Sequence, residues 1–200
     1  MKQAITLLCI LFSLCAHAQF NKGDKFIGGE VGMRHTSYDG GDEEDFYFGV
    51  SPSAGIFLTK NLALGLELGY SHDAYKTYID SQVSSKRNSQ SYTTGVFAKR
   101  FFTIADKFFF ALRGDAMYQR SMSNSALFNG AKSSTKSYVL SANVTPSFIF
   151  FPSPKWGIEA SLGSLSYSHR QEIPSDGSTN DQLNFYAGSF SLGFTYYLRK

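Results

Sequence analysis

The chain has 200 residues and a formal net charge of +3, which suits a single domain and is too short for a barrel plus a second globular unit. Acidic and basic residues are interspersed, and no Lys/Arg run of the kind that follows nucleic-acid phosphates is present, so we expect no nucleic-acid partner. The sequence is rich in Phe, Tyr and Gly and poor in Pro, which favours closely packed β-strands.

The chain begins with the pattern of a secretory signal peptide, which we place at residues 1–18. Lys2 gives a positive start, an apolar run follows, and Ala16-His17-Ala18 supplies the small residues of a cleavage site. Cleavage there leaves a single domain at 19–200. Both cysteines, Cys9 and Cys15, lie in the removed segment. The mature chain therefore has no disulfide and no thiolate metal ligand.

After the signal peptide, apolar residues alternate with small or polar residues at a period of two. Leu64, Leu66 and Leu68, for example, alternate with Gly65 and Glu67. No segment has the roughly 18 consecutive apolar residues of a membrane-spanning helix, so a membrane role requires strands. We predict eight strands, at residues 25–35, 46–58, 62–75, 91–103, 107–121, 136–151, 156–169 and 183–199.

The predicted connections alternate between short and long. The short ones lie at 59–61, 105–106 and 153–155, and the long, polar ones at 36–45, 76–90, 122–135 and 170–182. Short periplasmic turns on one rim and long extracellular loops on the other are typical of outer-membrane barrels. The sequence thus predicts an all-β fold: an eight-stranded antiparallel up-and-down transmembrane β-barrel in the cell outer membrane.

Aromatic residues cluster at both ends of the predicted strands, about ten residues apart, which is the length that a tilted strand needs to cross the hydrocarbon. Beside the short turns are Phe57, Phe101, Phe102, Phe108, Phe109, Phe110, Phe150, Phe151, Trp156, Tyr196 and Tyr197. Toward the long loops are Phe46, Tyr47, Phe48, Tyr70, Tyr75, Tyr92, Tyr118, Tyr138, Tyr167, Phe185 and Tyr186. We interpret the two groups as aromatic girdles at the membrane interfaces.

The strand–turn block at residues 56–64 and the aromatic ending at residues 192–200 resemble the small outer-membrane β-barrel, or porin-like, family of Bacteroidetes-type bacteria. The resemblance covers the mature chain. It implies an eight-stranded barrel that the barrel-assembly machinery inserts by its last strand. Outer-membrane lipid and lipopolysaccharide would be its partners, and we expect a monomer.

Six charged residues are expected to point into the barrel: Glu30, Arg34, Glu67, Arg113, Asp115 and Glu159. One of Lys99 and Arg100 joins them. Side chains just fill the interior of an eight-stranded barrel, and charges there must pair to offset their desolvation. We therefore interpret the set as a structural ion-pair network that plugs the lumen. A gated path for protons or ions is the alternative.

Neither a metal site nor a catalytic site is predicted. His35 and His72 fall on the lipid-facing phase of strands that are not adjacent, so convergence on a metal is not expected. Ser168 and His169 are residue types that outer-membrane enzymes use on lipid A, but no nucleophile-elbow motif accompanies them. We predict no enzyme and no cofactor. The acidic segment 39–45 is a hypothetical divalent-cation site, with a solvated loop as the alternative because EF-hand spacing is lacking.

Alternation by itself leaves one rival fold, a soluble barrel of the lipocalin kind, in which the apolar phase faces inward. For the membrane barrel we carry three functions. The first is a structural or surface-interaction role with a side-chain-plugged lumen, which we prefer because no site chemistry is legible. The others are a narrow porin-like channel for ions or small solutes and an enzyme acting on lipid A.

Overall fold

A computed structural model describes residues 20–37, 43–79, 82–127, 130–173 and 179–199; the predicted signal peptide lies outside them. These residues form eight antiparallel strands in up-and-down order, closed into a barrel by pairing of the first strand with the last. The predicted fold is confirmed. The strands are β1 Lys25–Ser37, β2 Glu43–Phe57, β3 Leu62–Ile79, β4 Gln82–Ala105, β5 Phe108–Leu127, β6 Lys132–Ser153, β7 Trp156–Ile173 and β8 Thr179–Leu198. No helix within the described ranges is long and apolar enough to cross a membrane.

The apolar phase of the strands faces outward. On β3, Leu64, Leu66 and Leu68 are 43%, 65% and 61% exposed, whereas Ala63 is buried and Glu67 points into the barrel. The same alternation on neighbouring strands keeps the outward residues in register, because directly paired residues point to the same side of a sheet. The described strands therefore do not follow the soluble-barrel alternative, which needs an apolar interior.

The two ends of the barrel differ. At the short-turn end, residues 58–61, 106–107 and 154–155 join consecutive strands. At the opposite, long-hairpin end, strand pairing continues well past the predicted boundaries: β3 extends to Ile79 and β4 begins at Gln82. Most of the segments 76–90 and 122–135, predicted as loops, is thus paired strand, which corrects those boundaries. Both faces of these extensions are polar, so they carry no alternation that reveals a strand.

A bulge in β7 reverses the phase of the upper part of β8. The register of the two strands shifts at Gly163, which has a φ of 125° and whose Cβ, if added, would lie 2.2 Å from the carbonyl oxygen of Tyr186. Only glycine fits this position. Beyond the shift, Phe185 pairs with Leu165 and is 76% exposed. The outward residues there are Leu183 and Phe185, and Tyr186, predicted on the outward face, pairs with Ser164 on the opposite phase.

The aromatic residues beside the short turns divide between the two faces of the barrel. Consecutive aromatic residues point to opposite sides of a strand, so only some can form a girdle. Those that point outward include Phe102, Phe108, Phe150, Trp156 and Tyr196. Five residues assigned to the girdle from sequence are instead buried in the barrel interior: Phe57, Phe101, Phe109, Phe151 and Tyr197.

The closure of the ring is short. β1 pairs with β2 along its whole length, but with β8 only through residues 25–29, which face residues 194–198. Beyond this seam the two strands are not paired with each other, although their backbones are described throughout.

Candidate functional site: the barrel interior

The short-turn end of the interior is filled by aromatic rings around Phe20, a set that we call the aromatic seal. Phe20 precedes β1, is 1% exposed and stacks on Phe57 with ring centroids 4.2 Å apart. The other rings against it lie at centroid distances of 4.9–5.6 Å and come from four further strands: Phe101, Phe109, Phe151 and Tyr197. Phe20 could not be identified from the sequence, because a single aromatic residue before the first strand has no periodicity.

Arg199 caps the aromatic seal. Its guanidinium carbon lies 4.9 Å from the ring centroid of Phe20, 5.2 Å from that of Phe151 and 5.7 Å from that of Tyr197. The buried Nε and Nη2 atoms have no hydrogen-bond partner among the described residues. Ring faces attract a cation electrostatically, so the rings take the place of hydrogen-bond acceptors here.

Above the seal lies a network of charged side chains centred on Arg113 of β5. Its Nη2 donates a hydrogen bond of 2.5 Å to Glu67 Oε2, and its Nε lies 3.3 Å from Asp115 Oδ2 as an ion pair without an aligned hydrogen bond. The guanidinium carbon is 4.2 Å from the ring centroid of Phe97. Asn143 Nδ2 donates a hydrogen bond of 2.6 Å to the second oxygen of Asp115. Arg113 is thus held by two carboxylates and a ring.

The second cation of the network is Lys99, which settles the ambiguity of the fourth strand: Lys99 points inward and Arg100 outward. Lys99 Nζ donates a hydrogen bond of 2.6 Å to Glu159 Oε2, and Ser147 Oγ donates one of 2.7 Å to Oε1 of the same carboxylate. Glu30 faces these groups across a cavity of about 40 Å³ that Glu67, Lys99, Arg113 and Glu159 also line. We call the following six residues the lumen network: Glu30, Glu67, Lys99, Arg113, Asp115 and Glu159.

Arg34 lies apart from the lumen network. Its Nη2 donates a hydrogen bond of 2.9 Å to Asp45 Oδ2, and its side chain is 60% exposed, nearer the long-hairpin end. The structure therefore brings together five of the six charged residues named from sequence, adds Lys99, and places Arg34 in a separate, solvated ion pair.

The long-hairpin half of the interior is an open, hydrophilic cup with a cavity of about 660 Å³. Hydroxyl groups of β4 and β5 bond to one another along one wall: Ser91 to Ser121 at 2.8 Å and Ser89 to Ser123 at 3.0 Å. The charged residues that line it are Arg34, Asp45, Asp73, Arg87, Arg170 and Glu172. The pKa of Asp73 is raised above its ordinary value, mainly because the side chain is partly buried and also because the carboxylate of Asp45 is nearby.

The interior thus has a filled half and an open half. The cavity among the lumen network, about 40 Å³, is close to the roughly 30 Å³ that one water molecule occupies in the liquid. Between the cup and the short turns, the described interior holds the lumen network and the aromatic seal. The arrangement is chemically suited to hold position and to block flow.

The histidines and the acidic segment give no converging site among the described residues. His169 Nδ1 lies 2.7 Å from Asp181 Oδ1 on the outer surface, whereas Ser168 faces the interior. His35 and His72 point outward on either side of β2. Residues 39–42 lie outside the described ranges, and Glu44 and Asp45 are already paired with Lys76 and Arg34. No group of three potential ligands for a metal occurs in the part of the chain that is described.

No protein-family model matches the sequence, and no curated protein is similar to it. Among solved structures, the chain is similar to Ail, the attachment invasion locus protein of Yersinia pestis, at 14% identity and a TM-score of 0.46, covering 89% of this chain and 99% of that one. It is also similar to the translocator domain of the autotransporter NalP from Neisseria meningitidis, at 14% identity and a TM-score of 0.47, covering 98% of this chain and 68% of that one.

Proposed function

We propose that this protein is an exported outer-membrane β-barrel with a plugged lumen and a structural or surface-interaction role. The observation that carries the proposal is a belt of apolar side chains around the outside of a barrel whose interior is charged. Water-soluble monomers rarely expose a contiguous apolar surface of this extent. The most exposed members of the belt are Val31, Met33, Leu66, Leu68, Leu140, Leu183 and Phe185.

The belt has the height of a membrane. It lies between outward aromatic residues at the short-turn end and outward tyrosines toward the long hairpins: Tyr70, Tyr92, Tyr118, Tyr138 and Tyr167. On β4, Tyr92 and Phe102 delimit a segment of about the 9–11 residues that a tilted strand needs to span a bilayer. Short turns face the periplasm in such barrels, so the cup opens to the exterior.

The long hairpins support a surface role. On β3, Ile79 lies nine residues after Tyr70, and at about 3.3 Å per residue strand pairing continues roughly 30 Å along the strand beyond the tyrosine girdle. The ending of β8 and the block at 56–64 also favour the small-barrel family of Bacteroidetes-type bacteria. Outer-membrane lipid and the barrel-assembly machinery are the partners that this proposal requires.

The alternatives have less support. A narrow channel needs a water path through the barrel, but the aromatic seal and the lumen network occupy the half of the interior nearer the short turns. An enzyme acting on lipid A would need a serine and a histidine close together. On β7, Ser168 and His169 lie on opposite faces of the strand.

The orientation predicts a clear labelling pattern. The mature sequence contains no cysteine, so single-cysteine variants are unambiguous. On intact cells, a membrane-impermeant maleimide is expected to label Ala131→Cys, which is exposed between the long strands, and to leave Lys155→Cys in a short turn unlabelled. Labelling of Lys155→Cys should appear only after the outer membrane is permeabilised. The reverse pattern, or recovery of the protein in the soluble periplasmic fraction, would contradict the proposal.

The plugged lumen predicts that the protein does not conduct. Purified barrel, shown to be folded by its heat-modifiable mobility on a gel, is expected to give no steady ohmic current in a planar bilayer. A known porin in the same preparation serves as the positive control. Steady conductance from the parent protein would favour the channel alternative instead.

A further inference from the structure

Beyond the outward tyrosines, one wall of the barrel carries cations only. Direct strand pairing places Arg120 between Tyr92 and Tyr138, and it places Lys136 one row further toward the hairpin end. Two rows beyond Lys136, Lys86 and Lys132 flank Ala126 of β5. All four cations are exposed. Because directly paired residues point to the same side, these side chains share one outward surface, which we call the cationic face: Lys86, Arg120, Lys132 and Lys136.

No carboxylate compensates the cationic face. The strands β4, β5 and β6 contain a single acidic residue, Asp115, and it points into the barrel. None of the four cations forms an ion pair within the described ranges. The adjoining wall behaves differently, since Lys76 of β3 pairs with Glu44 of β2 at 3.1 Å. A solvated surface normally mixes charges of both signs, so the cationic face has the electrostatics of an anion-binding surface.

The cationic face begins at the level of the lipid headgroups and extends outward from there. The guanidinium carbon of Arg120 is 5.9 Å from the ring centroid of Tyr138, so this cation lies at the level of the girdle. Each further row is two residues along the strand, about 6.7 Å. Lys86 and Lys132, three rows from Arg120, therefore lie roughly 20 Å further along the strands, which is roughly 15 Å in height for strands tilted by about 40°. The ligand must be anchored in the membrane and carry anionic groups outward over this distance.

The chemistry between the cations favours a sugar. The row just below Lys86 and Lys132 consists of Asn88, Asn124 and Ser134, directly paired across the three strands. Together with Lys86 and Lys132, these three residues line a recess of about 370 Å³. Amide and hydroxyl groups both donate to and accept from sugar hydroxyls, while lysine binds phosphate as a point charge.

We propose that the cationic face binds a phosphorylated glycolipid of the outer leaflet, with Arg120 and Lys136 at the phosphate nearest the membrane and the recess around an outer phosphosugar. This inference deepens the proposed function and rests on its orientation of the barrel. It assigns the expected lipopolysaccharide contact to one wall.

The test uses purified full-length mature barrel in detergent micelles, titrated with rough lipopolysaccharide that carries a phosphorylated inner core and followed by native mass spectrometry. We expect this lipopolysaccharide to bind the parent at least tenfold more tightly than the variant Lys86→Gln/Arg120→Gln/Lys132→Gln/Lys136→Gln, because lysine and arginine bind phosphate through charge-assisted hydrogen bonds. The matched control, Lys60→Gln/Lys155→Gln in the short turns, should bind like the parent. Dephosphorylated lipopolysaccharide and phosphatidylglycerol should both bind the parent more weakly.

Equal lipopolysaccharide binding by the parent and the quadruple variant would overturn the inference, as would equal binding of phosphatidylglycerol. Heat-modifiable gel mobility verifies that each variant is folded, and Lys86→Arg/Lys132→Arg should retain binding if a variant with fewer charges does not fold. The outcome is separable from the proposed function. A parent that fails the cysteine-labelling test contradicts the membrane orientation, whereas a correctly oriented parent whose lipid binding ignores these four residues contradicts only the cationic face.

Discussion

Replacing Arg113 by alanine is expected to lower the free energy of unfolding by about 3–5 kcal/mol, the usual cost of removing one member of a buried ion network. The side chains of Arg113, Glu67 and Asp115 are 19%, 18% and 7% exposed. Without the guanidinium, both carboxylates lose their cation in a region with little room for water. The remaining cation there, Lys99, is already paired with Glu159.

Two matched variants separate this effect from a general loss of charge. Glu67→Gln should cost less than Arg113→Ala, because the amide keeps hydrogen-bonding capacity and removes one charge from an acid-rich set. Arg34→Ala removes an inward arginine whose side chain is 60% exposed in the cup, and an exposed ion pair is worth only about 0–1 kcal/mol. Unfolding midpoints in detergent, followed by the fluorescence of the single Trp156, compare all three. An Arg113→Ala barrel as stable as the parent would show that the lumen network does not stabilise the fold.

Replacing Phe20 by alanine is expected to have a similarly large effect, about 3–5 kcal/mol, which is the range for truncating a buried phenylalanine. Phe20 is 1% exposed and contacts five rings from five strands, and the guanidinium of Arg199 lies over it. Removing the ring leaves a cavity in the centre of the aromatic seal.

Phe20→Leu should lose less stability than Phe20→Ala, because leucine still fills part of the space. Phe102→Ala serves as the control for loss of an aromatic residue: Phe102 is 42% exposed on the outer surface, and its one ring contact within the described ranges is with Phe110. The same fluorescence measurement applies, because Trp156 lies outward and does not touch the seal. Equal stability of Phe20→Ala and the parent would show that the seal does not depend on this residue.

The strand pattern was predictable because one face of each strand is apolar and the other is small or polar. A leucine run such as Leu64, Leu66 and Leu68 shows the apolar face directly, and the inward phase then follows for Glu67 and Arg113. Where the outward residues are no longer apolar, the signal ends. Most residues of the β3 and β4 extensions are polar, so alternation cannot distinguish these extensions from loops.

Other features depend on three-dimensional positions that a period of two does not encode. Lys99 and Arg100 are adjacent cations, and only the register with β3 shows which one points inward. The register shift at Gly163 accompanies a reversal of the outward phase of β8, from Phe194 to Phe185, and its position depends on how β8 pairs with β7. Arg34 has the inward phase but lies too far toward the open end to reach Arg113 and its carboxylates. The alternation of a strand predicts whether a side chain points inward or outward. How far along the barrel axis that side chain lies is known only from the folded structure.

The short seam between the first and last strands bears on the order in which the barrel assembles. Every other pairing joins strands that are neighbours along the chain, whereas the seam joins residues 25–29 to residues 194–198. Closing a contact costs more entropy as the intervening chain lengthens, and contacts of high sequence separation slow folding. The hairpins can therefore form one after another before the last strand is in place. The ring closes only when residues 194–198 reach β1. Until then β1 and β8 are free edges that any other strand could capture.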